Sequence, residues 1–263
     1  MINPTGTRLS EERRALLHSI TAKLLFVSKR ARPDAQVPIS FLTSRVTKAD
    51  VDDWGKLKRL LTYLHGTIDL PLTLSIDDLC VVKTWVDAAF ATHHDMRSHT
   101  GGYITMGKGA LYASSKRQKI NTKSSTEAEL VGAGDFFPQT IWTVNFIEAQ
   151  GYKVSRSEYH QDNQSAMKME KNGRQSAGQR SRHINIRYFF IKDRIDKNEL
   201  NLMYCPTGEM IADFFSKPQQ GSMFRNFRDI IMGVKHHSCI RALTSQGQER
   251  VENKALEGAR DSN

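Results

Sequence analysis

Scarce cysteine and the lack of any long apolar run set the first limits on this chain. The three cysteines, Cys80, Cys205 and Cys239, are odd in number and include no CxxC pair, which excludes a disulfide framework and a closed structural zinc site and predicts reduced thiols. His236 and His237 stand near Cys239, but no second ligand pair lies close in sequence, so this stretch reads as a solvated tail. No segment approaches the roughly 18 apolar residues of a membrane span. The opening MINPTGTRLSEERR has no apolar core of the kind a signal peptide needs. An intracellular protein is expected, cytoplasmic or nuclear, not secreted and with no membrane partner. No repeat of about 20–50 residues is visible.

A hydrophobic content of 39% over 263 residues supports a real core, in one domain of about 150 residues with flanking elements. The net charge of +10 is uneven, about +3 in residues 1–78, about +6 in 79–233 and about +1 in 234–263. The central segment is the most basic. Such an excess suits either solubility or a polyanionic partner.

Apolar spacing predicts amphipathic helices over 8–28 and 51–65, with a third between them from about Asp34 to Val46 despite Pro38. The period then changes. Residues 80–90, GGYITMG and ALYASSK read as three antiparallel strands, the last two joined by a turn at Gly107 to Gly109. Ser125 or Thr126 can cap a following helix, Thr126 and Glu129 having capping-box spacing, and a second helix is expected after Pro138. RSEYHQ and LNLMYC give a fourth and fifth strand, with a helix from Asn163 and another marked by Ile184, Tyr188, Ile191 and Ile195. Beyond about Gly233 the composition turns polar without a usable period, so 234–263 is expected to be disordered.

Four acids stand far apart in short contexts that suit a metal site: Asp87 in TWVDAAFA, Glu129 in SSTEAELVG, Asp162 in HQDNQSA and Asp213 in EMIADFFSKP. Three of the four follow or lie within runs that read as buried strand or helix, where an unpaired carboxylate is normally excluded. With strands one and four as neighbours, the first three converge at one edge of a mixed sheet. Two such charges 4 Å apart repel by about 4 kcal/mol at an effective dielectric near 20, so a cationic group must offset them. Clustered carboxylates suit hard divalent cations, and a metal-dependent nuclease is the natural expectation.

Eight pieces, ARPDAQ, WGKLKRLLTYLHGTIDL, VDAAFA, RSHTGGYI, SSKRQKINTKSSTEAEL, HQDNQSA, RSRHINIRYFFIKD and EMIADFFSKP, run in order from about Leu16 to Gly233. In them the chain resembles the ribonuclease H domain of copia-like retrotransposon Pol polyproteins, preceded by the end of a reverse transcriptase. The resemblance implies an α/β, RNase H-like fold with a five-stranded mixed sheet flanked by helices. It places a helical remnant of the polymerase thumb or connection in 1–75 and the RNase H-like domain in 79–233. It also implies a catalytic, metal-binding tetrad of Asp87, Glu129, Asp162 and Asp213, two Mg²⁺ or Mn²⁺ ions, and hydrolysis of the RNA strand of an RNA–DNA hybrid.

Glu127 competes with Glu129 for the second place. Glu129 is preferred because in the wider family this glutamate precedes a large apolar residue, here Leu130. Nucleic-acid contacts are expected from Lys116, Arg117, Lys119 and Lys123, from Ser165, and from Arg182, His183 and Arg187. The chain departs from the family pattern at the loop before the fourth acid, CPTGEMIAD, which lacks the histidine that many relatives carry there. No polymerase active site is present either: Asp77 and Asp78 lack the preceding large aromatic. The rival expectation is a non-catalytic module that binds hybrid or packs on the polymerase portion of the same polyprotein. An integrase-like strand transferase would need a different acidic spacing.

Overall fold

The computed structural model describes residues 6–172 and 185–240, the side chains of 185–189 excepted. Its first part is helical: α1 (Glu11–Arg30), α2 (Gln36–Arg45) and α3 (Val51–His65). Their apolar stripes, including Leu17, Ile39, Leu42, Leu57 and Leu60, close on one another as a separate small core. Pro38 is tolerated because it falls in the first turn of α2, where backbone N–H groups have no helical acceptor anyway. The ARPDAQ motif has a structural task. Arg32 grips Asp34 at 2.8 Å and the Thr67 carbonyl at 3.0 Å, and the Tyr63 hydroxyl donates to Asp34. This network ties the α1–α2 junction to the end of α3.

The remainder is built on a sheet. Strands β1 (Ser75–Ile76), β2 (Val81–Ala89), β3 (His99–Thr105), β4 (Gly107–Lys108) and β5 (Tyr112–Arg117) come first. Helix α4 (Ser125–Ala149), strand β6 (Arg156–Gln161), α5 (Gln164–Asn172), α6 (Asn185–Asp196), strand β7 (Asn201–Tyr204), α7 (Asp213–Ser216) and α8 (Gly221–Ile231) follow. The main sheet has five strands in the order β5-β3-β2-β6-β7, antiparallel from β5 to β2 and parallel from β2 to β7. Helices cover both faces: α4 and α6 pack over Val82, Val86, Ile104 and Tyr159, while α7 and α8 pack over Trp85 and Tyr103. This is the five-stranded mixed sheet flanked by helices that the resemblance implies. The short β1–β4 ribbon beside it was not expected from sequence.

Three sequence expectations change. Pro138 does not start a new helix; it lies inside the continuous α4, solvent-exposed, with its missing hydrogen bond on the outer face and with Phe136, Phe137 and Thr140 buried around it. The cap of α4 is neither Ser125 nor Thr126. Ser124, in extended backbone, accepts from the Glu127 N–H at 3.2 Å, and the Glu127 carboxylate accepts from the Lys123 N–H at 2.7 Å.

The third change concerns residues 234–240, placed by sequence in a disordered tail 234–263; residues 241–263 lie outside the described residues. Segment 234–240 folds back on the sheet: His237 meets the Trp85 ring edge-on at 5.6 Å, His236 Nε2 is 2.6 Å from Asp77 Oδ2, and Ile240 is buried. Those partners are more than 150 residues away, too far for local periodicity to register. His236→Ala should lower stability by at most about 1 kcal/mol, because the pair is half-exposed; a urea titration would check it.

One glycine sets the distance between layers. A Cβ on Gly101 would stand 2.5 Å from the Ala212 carbonyl and 2.6 Å from the Ser216 nitrogen. Both are backbone atoms of the segment carrying Asp213, and Gly101 pairs with Asp87 across the β2–β3 ladder. Gly101→Ala should push α7 off the sheet, costing roughly 1–3 kcal/mol by chemical denaturation and separating the first and fourth acids.

Candidate active site

Asp87 lies on the central strand β2, 2% exposed, its side chain on the face that α7 covers. Glu129 lies in the second turn of α4. Because Glu127 completes the cap, Glu129 is turned inward and buried. Asp162 follows the last residue of β6, and Asn163, not Asp162, caps α5 by accepting from the Ala166 N–H at 3.0 Å. Asp162 is thereby released from capping. The parallel pairing of β2 with β6 brings these elements side by side, and ligand oxygens of Asp87, Glu129 and Asp162 all lie within 4.8 Å of one another. Asp213, at the start of α7, is outside that group of three and is linked to Asp87 through Lys217. Lys217 Nζ is 2.7 Å from Asp213 Oδ1 and 3.3 Å from Asp87 Oδ2, and the Ser216 hydroxyl donates to Asp87 Oδ2.

The electrostatics are those of crowded, partly dehydrated carboxylates. Burial, then the charges of Asp87 and Asp162, drive the Glu129 carboxyl well above its ordinary range. Asp162 is raised by burial and by Asp87, against a hydrogen bond from the Thr207 hydroxyl at 3.1 Å. Asp213 is pushed up to about 7 by burial and by Asp87, although Lys217 pulls it down. All three shifts run in the direction that favours the neutral form, burial being the largest cause of each. Carboxylate oxygens of Asp87, Glu129 and Asp162 converging from three elements, two of them buried, fit a hard divalent cation.

Sequence reasoning missed the residues that align this group. Gln161 is fully buried; its side-chain oxygen accepts from the Asp162 and Asn163 N–H groups at 2.9 and 3.0 Å, and its nitrogen donates to the Tyr159 hydroxyl at 2.9 Å and faces Glu129 Oε2 at 3.5 Å. Tyr159 donates onward to Glu170 at 3.1 Å. Lys217 could have been noticed from its four-residue spacing to Asp213; the link from Ser216 to Asp87 spans 129 residues and has no sequence signal.

Of the expected nucleic-acid contacts, Lys116, Arg117, Lys119 and Lys123 are exposed along β5 and the loop leading to α4. Arg117 is engaged with Asp95 at 3.1 Å. Ser165 is exposed in the first turn of α5. Arg182 and His183 lie outside the described residues, and Arg187 is placed only by its backbone in α6.

Asp77, His236 and His237 form a second group of potential ligands. Its hydrogen bonds are already complete. His236 Nδ1 accepts from the Ser238 N–H, so its Nε2 proton goes to Asp77, while Lys83 Nζ sits 3.1 Å from His237 Nε2, where a second cation would be repelled. This group is a latch for the segment after Gly233.

The Pol polyprotein of the Nicotiana tabacum transposon TNT 1-94 is 28% identical over 214 residues, covering 81% of this chain and 16% of the relative. That of the Arabidopsis thaliana transposon RE2 is 29% identical over 206 residues, covering 78% and 14%. Over about four-fifths of its length the chain is similar to retrovirus-related Pol polyproteins of plant transposons. It spans only about a sixth or less of the length of these Pol relatives. No family model matches it. Among solved structures, LC11-RNase H1, isolated from compost by a metagenomic approach, is 12% identical with a TM-score of 0.38, covering 51% of this chain and 91% of that one. Among the described residues no helix is long and apolar enough to cross a membrane.

Proposed function

We propose that this chain is the RNase H portion of a retrotransposon Pol polyprotein and hydrolyses the RNA strand of an RNA–DNA hybrid. The observation that carries the reading is the convergence of Asp87, Glu129 and Asp162 within 4.8 Å, the first two buried and the third partly so. Those three acids, with Asp213, would hold divalent cations, Mg²⁺ or Mn²⁺. Two such ions, when bound, supply an acidified water as nucleophile and charge stabilisation for the leaving 3′ oxygen.

The protein's own part is alignment. Gln161 fixes Glu129 and the backbone at Asp162 together, and Ser216 and Lys217 fix Asp87 against Asp213. The exposed Lys116, Arg117, Lys119 and Lys123 suit phosphate contacts that position a duplex without reading its sequence. Discrimination for the RNA strand would come from its 2′-hydroxyls and groove shape. No histidine occupies the loop before Asp213, so proton transfer there falls to water. The helical segment 1–75 is read as the end of the polymerase part, with which this portion would act.

The test is a labelled RNA–DNA hybrid incubated with the chain and Mg²⁺, with EDTA as control. EDTA-sensitive cleavage of the RNA strand is the expected result. Binding without such cleavage would replace this reading by that of a non-catalytic hybrid-binding module.

A further inference from the structure

Lys217 stands where its ammonium does for two carboxylates what a metal ion would do. Its Nζ lies 2.7 Å from Asp213 Oδ1 and 3.4 and 3.3 Å from Oδ1 and Oδ2 of Asp87. An ordinary helical ion pair would need only Asp213, four residues earlier. Here the same ammonium also spans to a buried strand residue 130 positions away in sequence. Both oxygens of Asp87 therefore face Lys217, and one of them also accepts from the Ser216 hydroxyl. The side chain remains 40% exposed, so the ammonium can swing into water without unpacking the core.

An ammonium and a divalent cation cannot share these oxygens: both are positive, and either satisfies the same lone pairs. Resting on the reading of the four acids as a metal site, we infer that Lys217 is a resident counter-cation. It holds Asp87 and Asp213 together while no metal is bound, and it must leave before an ion can bridge them. It is a positioning residue that sets the metal concentration at which the site assembles. The same ammonium explains how strand β2 and helix α7 keep two acids adjacent in the metal-free fold.

Calorimetric titration of the full chain with Mg²⁺ and with Mn²⁺ tests this. Lys217→Met keeps the stem and removes the charge; it should bind the ion roughly tenfold more tightly or better, melt at a lower temperature than the native chain without metal, and regain the difference at metal saturation. Lys217→Arg should return the affinity towards the native value. A readout on the native chain avoids any folding defect in the variants: amine acylation at Lys217, followed by peptide mass spectrometry, should be slow without metal and should accelerate with added Mg²⁺ at the calorimetric midpoint. Equal or weaker metal binding by Lys217→Met, or an acylation rate indifferent to Mg²⁺ that does bind, overturns the counter-cation and leaves the metal site standing. Absence of binding by native and variant chains alike sinks both.

Discussion

Glu129→Gln is expected to lower hybrid cleavage by about 10³-fold or more, while making the metal-free protein more stable. On the proposed function, the loss follows from removing a charged oxygen from a site that would hold divalent cations; a contribution of about 4 kcal/mol to the transition state corresponds to that factor. The gain follows from the environment. Glu129 is buried, its neighbours Asp87 and Asp162 are both acidic, and its carboxyl is raised by all three conditions. An amide of the same shape carries no charge to bury and can donate to the two aspartates, so roughly 1–3 kcal/mol of stabilisation is expected at pH 7.5 in EDTA. Opposite signs for function and stability mark a site maintained against the preference of the fold.

Two companion variants separate causes. Glu127→Gln touches only the helix cap, so cleavage should persist with about 1 kcal/mol or less lost in stability. Asp162→Asn should abolish cleavage yet leave binding of the hybrid, measured by fluorescence anisotropy, nearly unchanged. Full activity in Glu129→Gln would remove the buried glutamate from the site, and with it the inward orientation on which the metal reading rests.

Much of this arrangement was legible in the sequence, for specific reasons. Asp87 declared itself because an acid amid TWV and AAF has no place in a buried strand, and Asp162 because it ends one strand and precedes a helix. The choice between Glu127 and Glu129 was not legible from the residues alone: both fall in the first two turns of α4, and what separates them is which serine caps the helix. With Ser124 in that role, Glu127 turns to the Lys123 N–H and Glu129 faces the sheet. Pro138 was misread because its cost is local, whereas the burial of Phe136, Phe137 and Thr140 that outweighs it is tertiary. Gln161, and the reach of Lys217 beyond Asp213 to Asp87, left no trace for a related reason. Each acts by joining elements that only the folded sheet makes neighbours, and the docking of His237 on Trp85 is the same kind of contact.

Stability of the metal-free protein should fall by roughly 2 kcal/mol between pH 6.5 and 8, an unusual slope for a basic protein and one that identifies its source. Glu170 is fully buried behind the site; its Oε1 accepts from Tyr159, its Oε2 has no hydrogen-bond partner among the described residues, and burial pushes its carboxyl up to about 8. Asp213 is pushed up to about 7. In the unfolded chain both carboxyls are ionised above about pH 5. The folded state thus binds more protons than the unfolded state in this window, so stability declines as pH rises through the folded values.

Below pH 6.5 an opposing effect enters. Burial lowers His99 and His237 to about 4, so the unfolded chain takes up their protons first and stability is lost as pH falls from about 6.5. The two families of groups offset one another in acid, and the clean slope lies on the alkaline side. Glu170→Gln should flatten the part that extends to pH 8. Saturating Mg²⁺ should flatten only the part due to Asp213 and Glu129, because Glu170 is not among the candidate ligands. Urea titrations at half-unit pH intervals, with EDTA or with Mg²⁺, would separate the two. A Glu170→Gln profile parallel to that of the native chain would mean that Glu170 is ionised in the fold, and the buried Tyr159–Glu170 pair would then need a cation that the described residues do not supply.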